Sequence, residues 1–476
     1  MLILSSVNDR LQIITGQAGT IDVHVSWMDN LAGAVTPGRT NTAITTATTT
    51  NVVAGPAVST QRNVKTLHVA NRGNGGVDIT VQHTDGTTAV QLHKVTVQPG
   101  TTLEYIDEVG FIGPTANTVS TLPPFPAESN LLVNSGTEVS QESGTTAITS
   151  VTALSRYTVD MIGVSLAGPV VVTFQQVADA PPGYKYSLKV SVTTADAAPA
   201  ATSKALIYMP VEGYRCAKLL FGNASAVPVA IGGWVKAHRA GAYSLSLENF
   251  AVNRTYPVTL TVNAADTWEF KSFVIPGDTA GSWEITSNAG LYVNVVMMAG
   301  TNFVGTANTW NAARAEGVSG TLNGVAAVTD TFQVCGFSLL PGILPLPATA
   351  ITMRNWDDEK YICERYYQKS FDYATLPAQG AGTGTNEFTF AAITAGATTQ
   401  RNGVVQFPQR MRTTPTITLY NPSAANGQIR DVTAAADCSA SSAVGQLNGI
   451  ALSCTGAGGT AANNSLRVHW VADARL

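Results

Sequence analysis

Four tryptophans in the middle of the chain are the residues best suited to bind a ligand. The flat face of an indole can stack on a sugar ring, while neighbouring Asn, Asp or Arg side chains hydrogen-bond the sugar hydroxyls. Trp234 and Trp268 lie within apolar runs and are predicted to pack in a core. Trp283 follows a Gly-Asp turn, and Trp310 lies in a polar loop that ends at Arg314. We predict Trp283, Trp310 and Arg314 as the ligand-binding residues, with ordinary packing as the alternative.

The chain carries no sequence pattern typical of an enzyme or a metal site. It lacks a GxSxG nucleophile elbow, an HExxH helix, a phosphate-binding loop and a dinucleotide-binding fingerprint. Cleavage of a polysaccharide needs two carboxylates about 5–10 Å apart, and no feature selects one pair among the 31 acidic residues. We predict no enzymatic activity, no catalytic residue, no metal and no cofactor. A secreted carbohydrate-active enzyme is the third-ranked alternative.

The histidines and cysteines also lack the spacing that is typical of metal ligands. The histidines stand singly in strand-like patterns: His24, His68, His83, His93, His238 and His469. The five cysteines are odd in number, scattered and without a CxxC pair, which predicts free, buried thiols. A disulfide between Cys438 and Cys454 across a hairpin is the alternative.

Composition favours extended β-structure. Hydrophobic residues make up 45% of the chain, enough for sizeable cores, whereas charged residues make up only 12%, about half the usual share. Thr, Ala, Gly, Val and Ser fill the gap, which suits strands whose outer faces carry Thr and Ser. A surface so poor in charge is often covered by other copies of the chain. The net charge of −4 gives no support to binding of nucleic acid or of an anionic membrane.

The start of the chain shows no targeting signal. Residues 1–10 lack the basic segment of a secretory signal peptide, and charged residues follow too early for its apolar segment. No apolar run approaches the roughly 20 residues needed to span a bilayer. We therefore expect a chain that is made in a cytosol and does not insert into a membrane.

Alternating apolar and polar residues predict several β-sandwiches. Short runs of period two, separated by Gly, Asn and Pro turns, fill residues 1–112 and indicate a compact antiparallel sandwich. Residues 113–129 contain four prolines and are predicted to be a stiff linker. Residues 130–347 are predicted to form a jelly-roll sandwich, and residues 371–476 a C-terminal β-domain.

One segment has a helical pattern, and it defines a predicted joint at residues 348–370. Asn355 is a candidate N-cap, and the three acidic residues after Trp356 place negative charge at the positive end of the helix. Arg365 and Lys369 place positive charge near the other end. The predicted fold class is therefore all-β, a multidomain chain of β-sandwich and jelly-roll units with one short helix between the second and third domains.

Several segments resemble the jelly-roll modules of bacteriophage tail fibres and related virion proteins. Asn130-Leu-Leu-Val-Asn-Ser-Gly136, followed by Tyr157-Thr-Val-Asp160, is similar to the start of these modules. Ser140 and Ile162 stand where that family has tryptophan. Cys363-Glu-Arg-Tyr-Tyr-Gln-Lys369 resembles the closing signature C-x-R-Y-[YF]-x-K. Two later segments resemble the end domain that follows in the family: residues 404–417 and 470–476.

The resemblance implies a virion component, usually a homotrimer, that is assembled in the host cytoplasm. Residues 1–112 would dock on other phage proteins of the tail, adaptor or capsid, and the distal end would face the host. The predicted function is a tail-fibre-like appendage that binds a host receptor glycan, a surface polysaccharide. The alternative is a head fibre or capsid decoration protein with no receptor role.

Overall fold

The structure, a computed structural model, describes residues 2–116, 129–152, 156–343, 345–348, 353–382, 384 and 386–476. Nearly all of its regular secondary structure lies in antiparallel sheets, which confirms the predicted all-β class. The chain divides into two compact units, Met1–Pro123 and Pro124–Leu476. Among the described residues, no helix is both long and apolar enough to cross a membrane.

The first unit is a sandwich of two antiparallel sheets. Its strands are β1 (Leu2–Leu4), β2 (Arg10–Thr15), β3 (Ile21–Leu31), β4 (Ala34–Ile44), β5 (Thr49–Val53), β6 (Gln61–Asn71), β7 (Val77–Thr84), β8 (Ala89–Val97), β9 (Thr101–Ile106) and β10 (Gly110–Ala116). One sheet has the order β10-β9-β6-β3-β4, with β1 paired to β6, and the other has the order β5-β2-β7-β8. Alternate side chains are buried, such as Leu11 and Ile13 of β2, because successive residues of a strand point to opposite faces.

The predicted linker at residues 113–129 differs from the structure at its start. Residues 113–116 belong to β10, which pairs with β9. The strand tolerates Pro114 because β10 lies at the edge of its sheet and the pairing register shifts between Ile112 and Thr115. Residues 117–128 of the predicted linker lie outside the described residues, and the boundary between the two compact units falls among them.

The second unit begins with a larger sandwich. Its strands are β11 (Ile148–Val151), β12 (Arg156–Val159), β13 (Ile162–Ala167), β14 (Val171–Val177), β15 (Ser187–Thr194), β16 (Lys204–Glu212), β17 (Val229–Ala237), β18 (Gly241–Asn249), β19 (Thr255–Val262), β20 (Glu269–Ile275), β21 (Ala289–Ala299), β22 (Val304–Gly305), β23 (Gly317–Val318) and β24 (Thr331–Pro341). Two six-stranded sheets have the orders β11-β14-β15-β24-β17-β20 and β12-β13-β16-β21-β18-β19. Phe174 and Ile231 of the first sheet and Leu245 and Val293 of the second belong to one buried core.

The C-terminal part of the second unit is organised around the last strand. Its strands are β25 (Tyr367–Lys369), β26 (Phe388–Ala391), β27 (Thr399–Gln406), β28 (Thr416–Tyr420), β29 (Arg430–Asp431), β30 (Ala436–Asp437), β31 (Ser439–Gln446), β32 (Gly449–Thr455) and β33 (Ser465–Asp473). Strand β33 pairs with β25, β26, β28 and β29, and a separate sheet has the order β27-β32-β31. Leu466, Val468 and Trp470 of β33 lie in a core of their own with Ile450.

The helical joint is shorter than the sequence pattern predicts. Helix α2 spans Trp356–Cys363, and residues Tyr367–Lys369 form β25 because they pair with the end of β33. Asn355 occupies the N-cap position, but its side chain makes no capping hydrogen bond. The acidic first turn is present as predicted. A single-turn helix α1 (Gly213–Cys216), which the sequence pattern did not indicate, follows β16.

Candidate functional site

Two of the three predicted ligand-binding residues lie side by side. Trp283 is in the connection between β20 and β21, and Trp310 is in the connection between β22 and β23. Their ring centroids are 5.5 Å apart with an edge-to-face geometry. Phe221 contacts both indoles, with centroid distances of 4.8 Å to Trp283 and 5.8 Å to Trp310, and Tyr256 lies 5.2 Å from Trp310. The structure therefore brings the two predicted tryptophans into one aromatic cluster at one end of the sandwich.

Both indoles are half-buried and held in place by the backbone. Trp283 Nε1 donates a hydrogen bond to Ala280 O at 3.2 Å, and Trp310 Nε1 donates to Pro276 O at 2.9 Å. Both rings also pack against the main core of the sandwich. Edge-to-face pairs contribute about 0.5–1.5 kcal/mol beyond the area that they bury. The cluster thus closes the end of the core, and Trp283 keeps part of its ring available at the surface.

Trp283 lines two surface cavities, which together we call the tryptophan cleft. The first has a volume of about 280 Å³ and is lined mostly by apolar side chains, including Leu219, Leu220 and Phe221. The second has a volume of about 210 Å³ and includes Phe250. Both cavities share three lining residues: Trp283, Glu284 and Ile285. Each cavity is smaller than the roughly 300–1,000 Å³ of a drug-sized pocket, so each suits one small chemical unit.

The lining that the two cavities share also carries a fixed carboxylate. Glu284 Oε1 accepts hydrogen bonds from Thr286 N at 2.7 Å and from Thr286 Oγ1 at 2.5 Å. These two hydrogen bonds lower the pKa of Glu284, and the carboxylate is ionised at neutral pH. At the rims, Leu220, Phe250 and Ile285 are each about half exposed, at 48%, 49% and 55%. The tryptophan cleft thus combines apolar surface with one oriented hydrogen-bond acceptor.

Arg314, the third predicted residue, makes its contacts elsewhere. Its Nε donates to Glu316 Oε1 at 2.9 Å and lies 3.6 Å from Glu248 Oε1, and its guanidinium lies 5.7 Å from the ring centroid of Phe303. Lys204 Nζ also pairs with Glu316 Oε1, at 2.9 Å. Arg314 therefore belongs to an ionic cluster on the second sheet and not to the tryptophan cleft.

This cluster contains two neighbouring carboxylates, as a glycoside hydrolase needs, but both side chains are buried. The side chains of Glu248 and Glu316 are only 4% and 1% exposed. Burial, and then the neighbouring carboxylate of Glu316, raise the pKa of Glu248 to about 7. A polysaccharide would have to displace Arg314 to reach them. Among the described residues, no group of three or more His, Cys, Asp or Glu side chains is placed to hold a metal ion.

Trp234 and Trp268 do not lie in the core, and this corrects the prediction for them. In β17 the side chains of Ile231, Val235 and Ala237 belong to the main core, so Trp234 points to the outer face of the sheet. Trp268 precedes β20 and lies on the same outer face. Strands β17 and β20 carry apolar residues on both faces, so the sequence pattern alone does not tell which face enters the core.

On this outer face, aromatic rings stand beside charged and amide groups. Trp268 Nε1 donates to Asp179 Oδ1 at 3.2 Å, and Lys236 Nζ donates to Asp179 Oδ2 at 2.8 Å. Trp234 and Phe270 are register partners whose rings meet edge to face at 5.5 Å. We call this group the sheet-face patch, and its members are Asp179, Trp234, Lys236, Trp268, Phe270 and Gln333. The even spacing of Trp234 and Lys236, and of Trp268 and Phe270, is the sequence signal that points to it.

Comparison with known proteins adds little to this geometry. No family model and no curated protein matches the sequence. Among solved structures, the enzymatically active domain of bacteriophage CBA120 tailspike protein 4 is similar at 13% identity and a TM-score of 0.22, over 38% of this chain and 19% of that one. A family 16 carbohydrate-binding module is similar at 16% identity and a TM-score of 0.19, over 35% and 84% of the two chains.

A third similar structure is that of the N-terminal modules of endo-1,4-β-D-xylanase 10B from Clostridium thermocellum. Its identity is 12% and its TM-score 0.22, over 44% of this chain and 30% of that one. The chain thus spans about a fifth of the tailspike domain and less than a third of the xylanase modules. TM-scores this low do not demonstrate a shared fold.

Proposed function

We propose that this chain is a structural protein of a bacteriophage virion, a tail-fibre-like appendage that binds a glycan on the host surface. The observation that carries the binding proposal is that Trp283 lines both surface cavities. Its half-buried ring offers a stacking surface to a sugar unit in the cleft. The carboxylate of Glu284, already oriented by Thr286, is a strong acceptor for sugar hydroxyls.

The size and shape of the tryptophan cleft favour weak binding of a short epitope. Cavities of about 280 and 210 Å³ accept single sugar units and bury limited area. Such a site becomes useful when several copies act together, because linked sites convert later binding events into intramolecular ones. We therefore propose a homotrimer, and the low charged fraction of 12% fits chains that bury surface against each other. The first compact unit, with its own core, is the proposed virion attachment domain.

Adsorption of the purified protein to host cells and to their extracted polysaccharide tests this proposal. Trp283→Leu keeps an apolar side chain in the cluster but removes the stacking face. We expect it to weaken adsorption about tenfold, equivalent to about 1.4 kcal/mol. Tyr361→Ala is the matched control, because Tyr361 is a half-exposed aromatic residue on α2, outside the lining of both cavities.

Two further variants locate the bound sugar. Leu220 lines only the first of the two cavities and Phe250 only the second, and both side chains are about half exposed, so truncation to Ala leaves the core intact. Loss of adsorption in Leu220→Ala alone assigns the sugar to the first cavity, and loss in Phe250→Ala alone assigns it to the second. Receptor binding is contradicted if the wild-type protein adsorbs to neither cells nor polysaccharide. Release of reducing sugar would show that the protein is an enzyme instead.

A head fibre or capsid decoration protein is the second candidate function. The observation in its favour is that both indole N–H groups are already bonded to backbone carbonyls, as expected of rings that serve packing. A decoration protein would stabilise capsids against heat without adsorbing to cells. Comparison of the melting of phage particles with and without the protein separates this function from adhesion.

A further inference from the structure

We infer that the outer face of the first sheet of the larger sandwich is a second saccharide site, distinct from the tryptophan cleft, and that it takes a carboxylate-bearing saccharide. The sheet-face patch is the aromatic end of this site. The rest of the site is a row of polar side chains that the strand register brings together.

The row runs straight across four neighbouring strands. Gln175 of β14 is the register partner of Lys189 in β15, Lys189 is the partner of Gln333 in β24, and Gln333 is the partner of Lys236 in β17. We call these four residues the polar row. Trp268, directly before the fifth strand β20, lies next to the end of the row and donates to the same Asp179 that Lys236 contacts. Strands lie about 4.7–4.9 Å apart, so five of them span about 19 Å, enough for several sugar units.

These side chains face outward, away from the core. Leu188 and Val190 of β15 and Val334 of β24 are buried in the main core, and they alternate with Lys189 and Gln333 along the strands. The polar row thus places amides and amines at outward strand positions that usually carry Thr and Ser. Amide groups donate and accept hydrogen bonds at once, and amines donate three, which matches the hydroxyls and carboxylates of an acidic sugar.

The charge of the site favours an acidic ligand. Asp179 is paired with Lys236 at 2.8 Å, and this hydrogen bond lowers the pKa of Asp179, which stays ionised. Among the described residues, Lys189 makes no ion pair, although its charge also acts on Asp179. Two ammonium groups therefore face one carboxylate. The surplus positive charge, on a sheet face that also offers Trp268 for stacking, selects a saccharide that carries a carboxylate over a neutral one.

One buried atom supports the same assignment. Gln333 is 2% exposed and donates its amide N–H to Asp179 Oδ2 at 3.1 Å, but its Oε1 has no hydrogen-bond partner among the described residues. A buried acceptor without a partner costs about 1–3 kcal/mol. A ligand hydroxyl that reaches the centre of the polar row would supply the missing donor.

Titration of the full-length protein with defined oligosaccharides tests the inference. The probes are tetragalacturonate and a hyaluronan tetrasaccharide as two acidic ligands of different backbone, and maltotetraose as the neutral ligand of equal length. We expect at least one acidic probe to bind about tenfold more tightly than maltotetraose, and to lose that preference at high salt because the charges are exposed. The acidic probe that binds identifies the type of uronic acid unit.

Three variants assign the binding to this face. Trp268→Ala should weaken binding of the acidic probe about tenfold. Lys189→Gln should remove the preference over the neutral probe, because it removes the charge while it keeps a polar side chain. Tyr361→Ala should leave the affinity and the preference unchanged, because Tyr361 lies on α2, outside both proposed sites. Failure of the tryptophan cleft is measured separately, by adsorption of Trp283→Leu to host polysaccharide. The inference is overturned if neither acidic probe binds, or if Trp268→Ala and Lys189→Gln both bind like the wild type.

Discussion

The backbone N–H of Asn134 donates a hydrogen bond of 2.6 Å to Glu359 Oε1, although 225 residues separate the two in the chain. Asn134 lies in the opening segment of the second unit, and Glu359 lies in the first turn of α2. Arg354 completes the link: its guanidinium lies 3.2 Å from the Glu359 carboxylate and donates to Asn130 O at 2.8 Å. One buried polar contact thus joins the opening segment, which resembles phage fibre modules, to the helix that precedes the closing signature.

Breaking this contact should destabilise the second unit strongly. Glu359→Ala leaves the buried guanidinium of Arg354 without its partner, and removal of one member of a buried ion pair costs about 3–5 kcal/mol. Urea unfolding followed by fluorescence measures this loss. Asp357→Ala is the matched control, since Asp357 is exposed in the same helical turn and should change stability by less than about 0.5 kcal/mol. Equal effects of the two substitutions would show that the contact does not hold the helix in place.

Truncation of Trp310 in the aromatic cluster should lower the free energy of unfolding more than truncation of an exposed aromatic residue does. Trp310 packs against Trp283, Phe221 and Tyr256. Truncation of a buried Trp costs about 3–5 kcal/mol, so we expect about 2–3 kcal/mol for Trp310→Ala at this half-buried site. Tyr361→Ala serves again as the control. A loss below about 1 kcal/mol for Trp310→Ala would mean that the cluster does not close the core.

Stability should fall as pH rises through the neutral range because of Glu248. Its pKa is raised from 4.5 to about 7 by burial and by Glu316, so the folded protein holds this proton more tightly than the unfolded chain does. The resulting stabilisation is complete below about pH 4.5 and is lost as the pH rises through about 7, a change of about 1–3 kcal/mol. Arg314, Lys204 and Asn294 also face this carboxylate and limit the shift.

Glu248→Gln keeps the shape of the side chain and removes the titration. Between pH 5 and pH 8, the free energy of unfolding of this variant should vary less than that of the wild type. Asp160, whose pKa burial raises to about 6, remains in both proteins and contributes equally to the two curves. Parallel curves for the variant and the wild type would show that Glu248 titrates at its ordinary pH.

The cysteines should be unreactive in the native protein and all reactive after unfolding. All five are free and buried, as predicted from their number and spacing. Cys438 and Cys454 lie in the same C-terminal core, and a hydrogen bond from Cys454 lowers the pKa of Cys438. Titration with a thiol reagent should find no accessible thiol in buffer and five in denaturant. A count of three in denaturant would reveal a disulfide between Cys438 and Cys454.

The proposed homotrimer should be visible in the mass of the native protein. Light scattering or native mass spectrometry should give about three times the chain mass of 49.6 kDa. Its assembly should resist moderate salt, because a chain with 12% charged residues has few charges to hold an interface together. A stable monomer at micromolar concentration would contradict both the trimer and the avidity on which the proposed adhesion depends.

The sequence by itself determined the all-β class, the beginning of the helix and the choice of Trp283 as a candidate ligand-binding residue. Period-two alternation in segments such as Leu11–Ile14 is a local property, and so is the acidic first turn of α2. The end of the helix, in contrast, was not determined by the local sequence. Residues Tyr367–Lys369 have side chains that suit a helix, but they form a strand because β33, about 100 residues later, offers its edge for pairing.

Only the tertiary structure decided which residues stand together at a site. Trp283 and Trp310 come from different connections and meet because the strand ends converge, whereas Arg314, four residues from Trp310, turns away to Glu316. Trp234 fits either face of its strand by pattern, and its outward direction follows from pairing with β20 and β24. Local sequence patterns determine whether a segment forms a strand or a helix. Which face of a strand is exposed to solvent depends on its pairing with strands that are distant in sequence, because burial of a side chain depends on all the elements packed around it.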